Sequence, residues 1–148
     1  MLLTLDLNAN GVIDDGRELL GNFSAQPDPA TGEERNGFSA LTVYDVNADG
    51  VINKSDGVYS ELRLWQDKNH NAVSESDELH PLEQLGLSSL DLKYERTKKV
   101  DEYGNQFRYR GKVRDARDTH LGRWAWDVFL ISALRHKPSW ERLQWQEK

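Results

Sequence analysis

Acidic and amide side chains recur at a fixed spacing in three short stretches of this chain. The stretches are DLNANGVIDDGRE, DVNADGVINKSD and DKNHNAVSESDE, which start at residues 6, 45 and 67 and are called loop one, loop two and loop three. In such a loop, side chains at positions 1, 3 and 5 converge on one point, position 7 offers a carbonyl, and positions 9 and 12 complete an oxygen shell. Hard cations such as Ca²⁺ bind this kind of shell at about 2.3–2.6 Å. The spacing therefore predicts Ca²⁺ as a cofactor.

Loop two fits this scheme at every position. Gly50 permits the sharp turn at position 6, and Ile52 at position 8 is predicted to point inward. The predicted ligands of loop two are Asp45, Asn47, Asp49, Val51, Asn53 and Asp56. Because Asp at position 12 is shorter than Glu, we expect weaker Ca²⁺ binding and a smaller preference over Mg²⁺.

Loop three departs from the scheme at two positions. Ala72 stands where Gly is expected, and Ala costs on the order of 1 kcal/mol if this residue has a positive φ. Ser74 at position 8 is polar where an apolar residue is expected. The predicted ligands of loop three are Asp67, Asn69, Asn71, Val73 and Glu78, with Glu75 at position 9.

Loop one departs from the scheme at its end. Position 12 is Arg17, which cannot bind a cation, and Glu18 follows at position 13. Gly16 allows the chain to bulge by one residue so that Glu18 reaches the ion, and Asp15 is a less favoured substitute. The predicted ligands of loop one are Asp6, Asn8, Asn10, Val12, Asp14 and Glu18. One alternative stays open for all three loops, because Asx turns and helix N-caps use the same Asp, Asn and Gly residues.

Residues around the loops show helical spacing, and residues after Gly86 show a period of two. Helical spacing predicts short helices at 16–22, 38–44, 58–65 and 80–86. Alternation predicts strands at 88–95, 106–115 and 123–131, and the last is apolar on both faces and therefore central. We predict an α+β fold, with short helices around the calcium loops followed by a small antiparallel β-sheet.

The chain divides into three units on this basis. Residues 1–86 hold the tandem calcium loops and their helices. Residues 87–131 form an antiparallel meander that is expected to pack on them. Residues 132–148 are a tail in which Ser139 is expected to cap a short helix.

Two surface features of the predicted sheet bear on its partners. A row of basic side chains alternates with uncharged ones, namely Arg108, Arg110, Lys112 and Arg114 against Phe107, Tyr109, Gly111 and Val113. We expect this row to be a solvated face, and nucleic-acid binding is disfavoured because the aromatic side chains point away from it. Trp124 and Trp126 share one face of the last strand and are predicted to lie in the core, whereas an exposed pair is able to stack on sugar rings.

Composition limits the classes of function. Residues 1–91 carry 17 acidic and 5 basic side chains and residues 92–148 carry 8 and 14, so net charges of −12 and +6 give −6 for the chain. The acidic half is a poor candidate for binding nucleic acid, and no apolar run approaches the roughly 18 residues of a membrane span. The absence of Cys excludes thiolate metal sites and cysteine nucleophiles. The His residues lack zinc spacing and no nucleophile motif occurs, so we predict that the chain is not an enzyme.

A resemblance to a known family rests on longer runs of sequence. They are LDLNANGVIDDGRELLGNF, YDVNADGVINKSD, LRLWQDKNHNAVSESDELHPLEQLGLSSLDLKY, DEYGNQFRYRGKVRDA and GRWAWDVFL. Together they resemble the EF-hand-type calcium-binding region of large secreted bacterial proteins with repeats-in-toxin, Rhs-type or adhesin-like architectures. The 22-residue step from loop two to loop three also resembles dockerin modules. The resemblance covers about residues 2–131 and implies EF-hand-like loops.

The resemblance implies an extracellular or cell-surface module of a longer bacterial chain, stabilised by calcium ions. The alternative is a dockerin-like protein-interaction module or a carbohydrate-binding module in which calcium is only structural. The expected partners besides calcium are another protein or an extracellular polysaccharide. Nucleic acid and a membrane span are not expected. The N-terminus lacks the features of a secretory signal peptide, which fits a fragment of a longer chain.

Overall fold

Two antiparallel sheets dominate the computed structural model, which describes residues 1–117 and 120–130. The strands are β1 Leu2–Leu5, β2 Val51–Ile52, β3 Leu62–Trp65, β4 Leu79–Pro81, β5 Ser89–Val100, β6 Gln106–Arg114 and β7 His120–Phe129. Their order is β1-β3-β4 in one sheet and β2-β5-β6-β7 in the other. Helical structure among the described residues consists of α1, Gly37–Thr42, and 3₁₀ turns at Gly16–Glu18, Gly57–Ser60 and Glu83–Leu85. The fold is mostly β, and the predicted α+β class is wrong.

The largest departure concerns residues 58–65, where the sequence predicts a helix and the structure has a 3₁₀ turn followed by β3. β1 pairs with β3 along its whole length on one side, and β4 pairs with β3 on the other. These neighbours supply backbone hydrogen bonds at both edges, which favours a strand because a helix this short is marginal by itself. The helical spacing still marks burial correctly, since Val58, Leu62 and Trp65 are all buried.

Two other predicted helices are also wrong. The segment at 16–22 contains only the 3₁₀ turn of Gly16–Glu18. The segment at 80–86 begins in β4 and continues as a 3₁₀ turn, which Gly86 ends with a φ of 76°. Both segments fall well below the roughly 12–15 residues at which an isolated helix becomes stable, so pairing with other strands decides their structure.

The predicted second helix is present as α1, and two side chains fix its N-terminus. Asn36 accepts a hydrogen bond from the Ser39 N–H at 2.9 Å, as a helix cap does. Asp127 on β7 accepts from the Gly37 N–H at 2.7 Å and so ties the helix to the four-stranded sheet. Burial raises the pKa of Asp127 despite this hydrogen bond.

Three strands lie where the alternation predicts them, and β5, β6 and β7 pair as antiparallel neighbours. Tyr109 and Val113 on β6 face the core. β2 pairs with the other edge of β5, where Val51 lies opposite Asp91, so loop two is joined to this sheet. β7 lies at the end of the described sheet, and the prediction that it is central is wrong.

Trp124 and Trp126 are half-buried, whereas the sequence places them in the core. Ala125 and Phe129, on the opposite face of β7, pack against the core instead. Arg110 lies over the Trp124 ring, with its guanidinium carbon 4.0 Å from the ring centroid. The core prediction fails because β7 turns its alanine and phenylalanine inward, and cationic side chains lie against the outward tryptophan rings.

The core draws its side chains from both sheets and from α1. Its buried members are Leu5, Phe38, Leu41, Ile52, Val58, Tyr59, Leu62, Leu82, Leu90, Leu92, Tyr109 and Val113. Among the described residues, no helix has the length and apolar character needed to cross a membrane. The predicted tail helix after residue 132, with Ser139 as its cap, lies outside the described residues.

Gly111 gives a test of the packing between α1 and β6. A Cβ added there would lie 2.6 Å from Phe38 Cε1 and 3.0 Å from the Asp91 carbonyl oxygen. We expect Gly111→Ala to lower the free energy of unfolding by about 1–3 kcal/mol, because the core has no room for the methyl group. Chemical denaturation measures the loss. Gly57→Ala is the control, since a Cβ there has no neighbour within 4 Å. Equal stabilities of the two variants would contradict this close packing.

Candidate metal centre

The three loops share one hydrogen-bond pattern around their first side chain. In loop two, the Asp45 carboxylate accepts from the Asp49 N–H at 3.3 Å and from the Gly50 N–H at 2.9 Å. Asp6 in loop one and Asp67 in loop three accept from the same two backbone positions at 2.7–3.2 Å. A carboxylate oxygen has two lone pairs, so each oxygen that accepts one of these bonds keeps a second lone pair for a cation.

Side chains at positions 3 and 5 bond to the same turn. In loop two, Asn47 Oδ1 accepts from the Asp49 N–H at 3.3 Å, and Asp49 Oδ1 accepts from the Val51 N–H at 3.0 Å. The equivalent bonds of the other loops, at 2.9–3.1 Å, involve Asn8, Asn10, Val12, Asn69, Asn71 and Val73. The predicted ligands at positions 1, 3 and 5 are therefore held within a single tight turn.

Left-handed backbone at positions 4 and 6 produces this turn. At position 6, φ is 84° for Gly11, 80° for Gly50 and 58° for Ala72. At position 4, φ is 56–58° for the non-glycine residues Ala9, Ala48 and His70. Ala72 therefore has the positive φ that position 6 requires. The sequence does not indicate the positive φ at position 4, because none of the three residues at that position is Gly.

A buried carboxylate closes loop two. Asp56 accepts from the N–H groups of Val46 and Asn53, both at 3.0 Å. These donors stand at positions 2 and 9, so a single side chain bridges the two ends of the loop. Asp56 is only 1% exposed, and its burial is tolerated because hydrogen bonds replace those it would make to water.

Glu18 closes loop one in the same way. It accepts from the N–H groups of Leu7 at 3.1 Å and Asp14 at 2.9 Å, which again stand at positions 2 and 9. Glu18 is buried and Arg17 is exposed. The extra residue at Gly16 thus brings position 13, and not position 12, to the place of the closing carboxylate.

Glu78 closes loop three and has one further partner. It accepts from the N–H groups of Lys68 at 2.8 Å and Glu75 at 3.4 Å, and from the Trp65 indole N–H at 3.3 Å. Burial raises the pKa of Glu78, but its hydrogen bonds outweigh burial and hold the pKa at about 2. The carboxylate is therefore charged at neutral pH. The Trp65 contact has no signal in the sequence beyond the position of this residue beside loop three.

One hydroxyl group connects loop one and loop three. Ser74 Oγ accepts from the Ile13 N–H at 2.6 Å and donates to the Ile13 carbonyl oxygen at 3.4 Å. Both residues are buried, and both stand at position 8 of their loops. Ser74 looks like a defect in the sequence pattern. Its role is missed there because its partner is 61 residues away.

Loop two alone, among the described residues, gathers three carboxylates suited to a cation. One oxygen each from Asp45, Asp49 and Asp56 lies within 4.8 Å of the others. Asn47 donates its amide to Asp49 Oδ2 at 3.0 Å. Asn53 at position 9 turns its side-chain oxygen to a backbone N–H within the loop, at 2.8 Å.

Loops one and three carry an amide at position 5, and this amide bonds to the residue at position 9. The Asn10 amide donates to Asp14 Oδ2 at 3.1 Å in loop one. The Asn71 amide donates to Glu75 Oε1 at 2.9 Å in loop three. These two loops therefore hold fewer carboxylates close together than loop two does.

A protein-family model and a known bacterial protein both resemble this chain. The family model of the SPM domain matches residues 1–129. The iron-regulated protein FrpA of Neisseria meningitidis serogroup C is 41% identical over 110 residues, which are 74% of this chain and 10% of that relative. The chain therefore spans about a tenth of the length of this curated relative.

The SPM match overturns the family that the loop motifs indicate. The resemblance to the EF-hand-type region of repeats-in-toxin, Rhs-type and adhesin-like proteins, and to dockerin modules, assigned the chain to the wrong family. The motif indicates the wrong family because it describes about a dozen residues and not the elements around them. Here strands and 3₁₀ turns replace three of the four helices expected around the loops, and α1 before loop two is the one that is present.

Glu18→Ala and Arg17→Ala separate the two candidates for closing loop one. We expect Glu18→Ala to lower the free energy of unfolding by about 1–3 kcal/mol, because the N–H groups of Leu7 and Asp14 lose their charged acceptor. Arg17→Ala should leave the stability nearly unchanged, because its ion pair with Asp15 lies at the surface. Urea denaturation compares the two variants, and equal losses would contradict the assignment to Glu18.

Ala72→Gly tests the strain in loop three. We expect the variant to be more stable than the original chain by about 1 kcal/mol, because Gly adopts a positive φ without the Cβ penalty. Ala30→Gly is the matched control, since Ala30 is exposed and is not among the residues with positive φ. The control should be neutral or slightly destabilised. If Ala72→Gly loses as much stability as the control does, the positive φ of Ala72 is not a source of strain.

Proposed function

We propose that this chain, which belongs to the SPM domain family, is a calcium-binding module. The observation that carries the proposal is the cluster of Asp45, Asp49 and Asp56, whose carboxylate oxygens lie within 4.8 Å of one another. Carboxylates this close repel one another, and a cation between them removes the repulsion. Loop two is the principal site in this proposal, followed by loop three and then by loop one.

The chemistry of the donors favours Ca²⁺ over other divalent ions. The proposed ligands are carboxylate, amide and carbonyl oxygens, and the chain has no Cys. Such oxygen sites suit Ca²⁺, Mg²⁺ and Mn²⁺, whereas thiolate and imidazole ligands suit zinc, copper and iron. A shell of six or more oxygens favours Ca²⁺ over Mg²⁺, which demands a small octahedron and keeps its waters. The name of the FrpA relative refers to iron, so Fe²⁺ is a comparison ion in the test.

Metal binding is proposed to stabilise the folded chain. Residues 1–91 carry a net charge of −12, which bound cations reduce. A ligand that binds only the folded state adds RT ln(1 + [L]/Kd), or about 2.7 kcal/mol at a hundred times Kd. We expect an affinity of about 10⁻⁵–10⁻³ M, which suits the calcium concentration outside cells.

The proposed role is binding and not catalysis, in a module that works outside the cell as part of a longer bacterial chain. Hydrogen bonds from the loop backbone hold the carboxylates of loop two in place. This arrangement supports a role in binding rather than in catalysis. The match covers 10% of the length of the FrpA relative, which supports a place for this chain within a longer protein.

Thermal unfolding of the chain in chelator, Mg²⁺, Fe²⁺ and millimolar Ca²⁺ tests the proposal. We expect Ca²⁺ to raise the unfolding midpoint by about 5–10 °C, because binding stabilises the folded state alone. Mg²⁺ and Fe²⁺ should raise it less. Asp45→Ala/Asp49→Ala should lose most of the calcium shift, because it removes two of the three clustered carboxylates.

The matched control is Asp28→Ala/Glu102→Ala, which removes two exposed carboxylates outside the loops. It should keep the full calcium shift, and isothermal titration should give its binding stoichiometry unchanged. No shift in the original chain would favour the alternative that the loops are Asx turns and caps. If Asp45→Ala/Asp49→Ala keeps the calcium-dependent rise in unfolding midpoint, loop two is not the principal site.

A further inference from the structure

A cleft with four cationic side chains lies at the hairpin end of β5 and β6. It has a volume of about 450 Å³, and its lining includes Arg96, Thr97, Lys98, Lys99, Gln106 and Arg108. The pairing of β5 with β6 shifts between Arg96 and Lys99, which marks a bulge. A bulge interrupts the alternation of side chains between the two faces, so consecutive lysines border the same cleft.

Few carboxylates neutralise this cleft. Glu34 pairs with Arg108 at 2.6 Å. In the part of the chain that the structure describes, no carboxylate forms an ion pair with Arg96, Lys98 or Lys99, and all three are exposed. The cleft is therefore a local positive patch on a chain whose net charge is −6.

Aromatic rings hold Lys99 in position. Its Nζ lies 4.8 Å from the ring centroids of both Phe107 and Trp126, and these two rings meet edge to face at 5.6 Å. The sequence places Phe107 away from the basic row, but a register shift between Phe107 and Tyr109 brings it beside Lys99. Cation–π contacts fix the ammonium group, so less conformational entropy is lost when an anion binds.

We propose that this cleft binds an acidic polysaccharide through the carboxylate or sulfate groups on its sugar rings. Arg96, Lys98 and Lys99 pair with the anionic groups, and the Gln106 amide faces the ring hydroxyls. Nucleic acid fits less well, because Lys99 covers the ring faces on which bases would stack.

This cleft is remote from the metal centre, and the inference does not rest on calcium binding. Loop two joins β5 where Val51 pairs with Asp91. Lys98 follows Asp91 along the same strand at up to about 23 Å, given a rise of about 3.3 Å per residue in a regular strand and the register shifts of β5. Each proposal can therefore fail without the other.

Affinity measurements with chondroitin sulfate, dextran and single-stranded DNA test the inference. They are made in millimolar Ca²⁺ and repeated in chelator, so that the state of the metal centre is controlled. Chondroitin sulfate should bind with an affinity that falls as the salt concentration rises, and neutral dextran should not bind. Lys98→Glu/Lys99→Glu should lower the affinity for chondroitin sulfate by about tenfold or more.

The matched control is Lys93→Glu/Lys112→Glu, which reverses two exposed charges on the same strands outside the cleft. It should bind as the original chain does. Trp126→Ala should weaken binding without removing a charge, because Lys99 loses one of its rings. Circular dichroism checks that each variant is folded.

Three results would overturn the proposal. The first is a folded original chain that does not bind chondroitin sulfate in either buffer. The second is an equal loss of affinity in the two charge-reversal variants. The third is tighter binding of single-stranded DNA than of chondroitin sulfate, which would assign the cleft to nucleic acid.

Discussion

Three buried carboxylates close the three loops, because each accepts hydrogen bonds from the backbone at positions 2 and 9 of its own loop. Glu18, Asp56 and Glu78 are at most 2% exposed. A carboxylate is stable in such a setting only while its donors stay in place, so each loop closes as a unit. The next elements start from these residues. Asp56 precedes the 3₁₀ turn that leads into β3, and Glu78 precedes β4.

The middle of the loops, as well as their ends, forms hydrogen bonds with other parts of the fold. β2 lies inside loop two and pairs with β5, and Ser74 of loop three bonds to Ile13 of loop one. Ile13 and Ile52, both at position 8, are 7% and 0% exposed. Because the same segments carry the proposed ligands and contact the core, a cation bound as proposed would change the stability of the fold and not only that of a surface turn.

The opposite charges of the two halves of the chain meet across the four-stranded sheet. Arg108 pairs with Glu34 at 2.6 Å, and Arg114 pairs with Asp91 at 3.1 Å. The basic row of β6, which the sequence predicts to be a solvated face, is thus partly paired with the acidic half. Arg96, Lys98 and Lys99, which form no ion pair among the described residues, lie together at the hairpin end of β5. Both binding proposals follow from this separation of charge.

The loops were predictable from the order of the amino acids, because their geometry depends on contacts within about a dozen residues. The sequence also indicated the one-residue bulge that brings Glu18 into loop one, and it located β5, β6 and β7 by alternation. The fold class was not predictable in this way, because it depends on pairing between remote segments: β1 reaches β3 across 59 residues at the Thr4–Arg63 bond. The tertiary structure also decided the face of β7 that Trp126 occupies. Spacing encodes which side chains are buried, and remote strands decide whether a helix or a strand buries them.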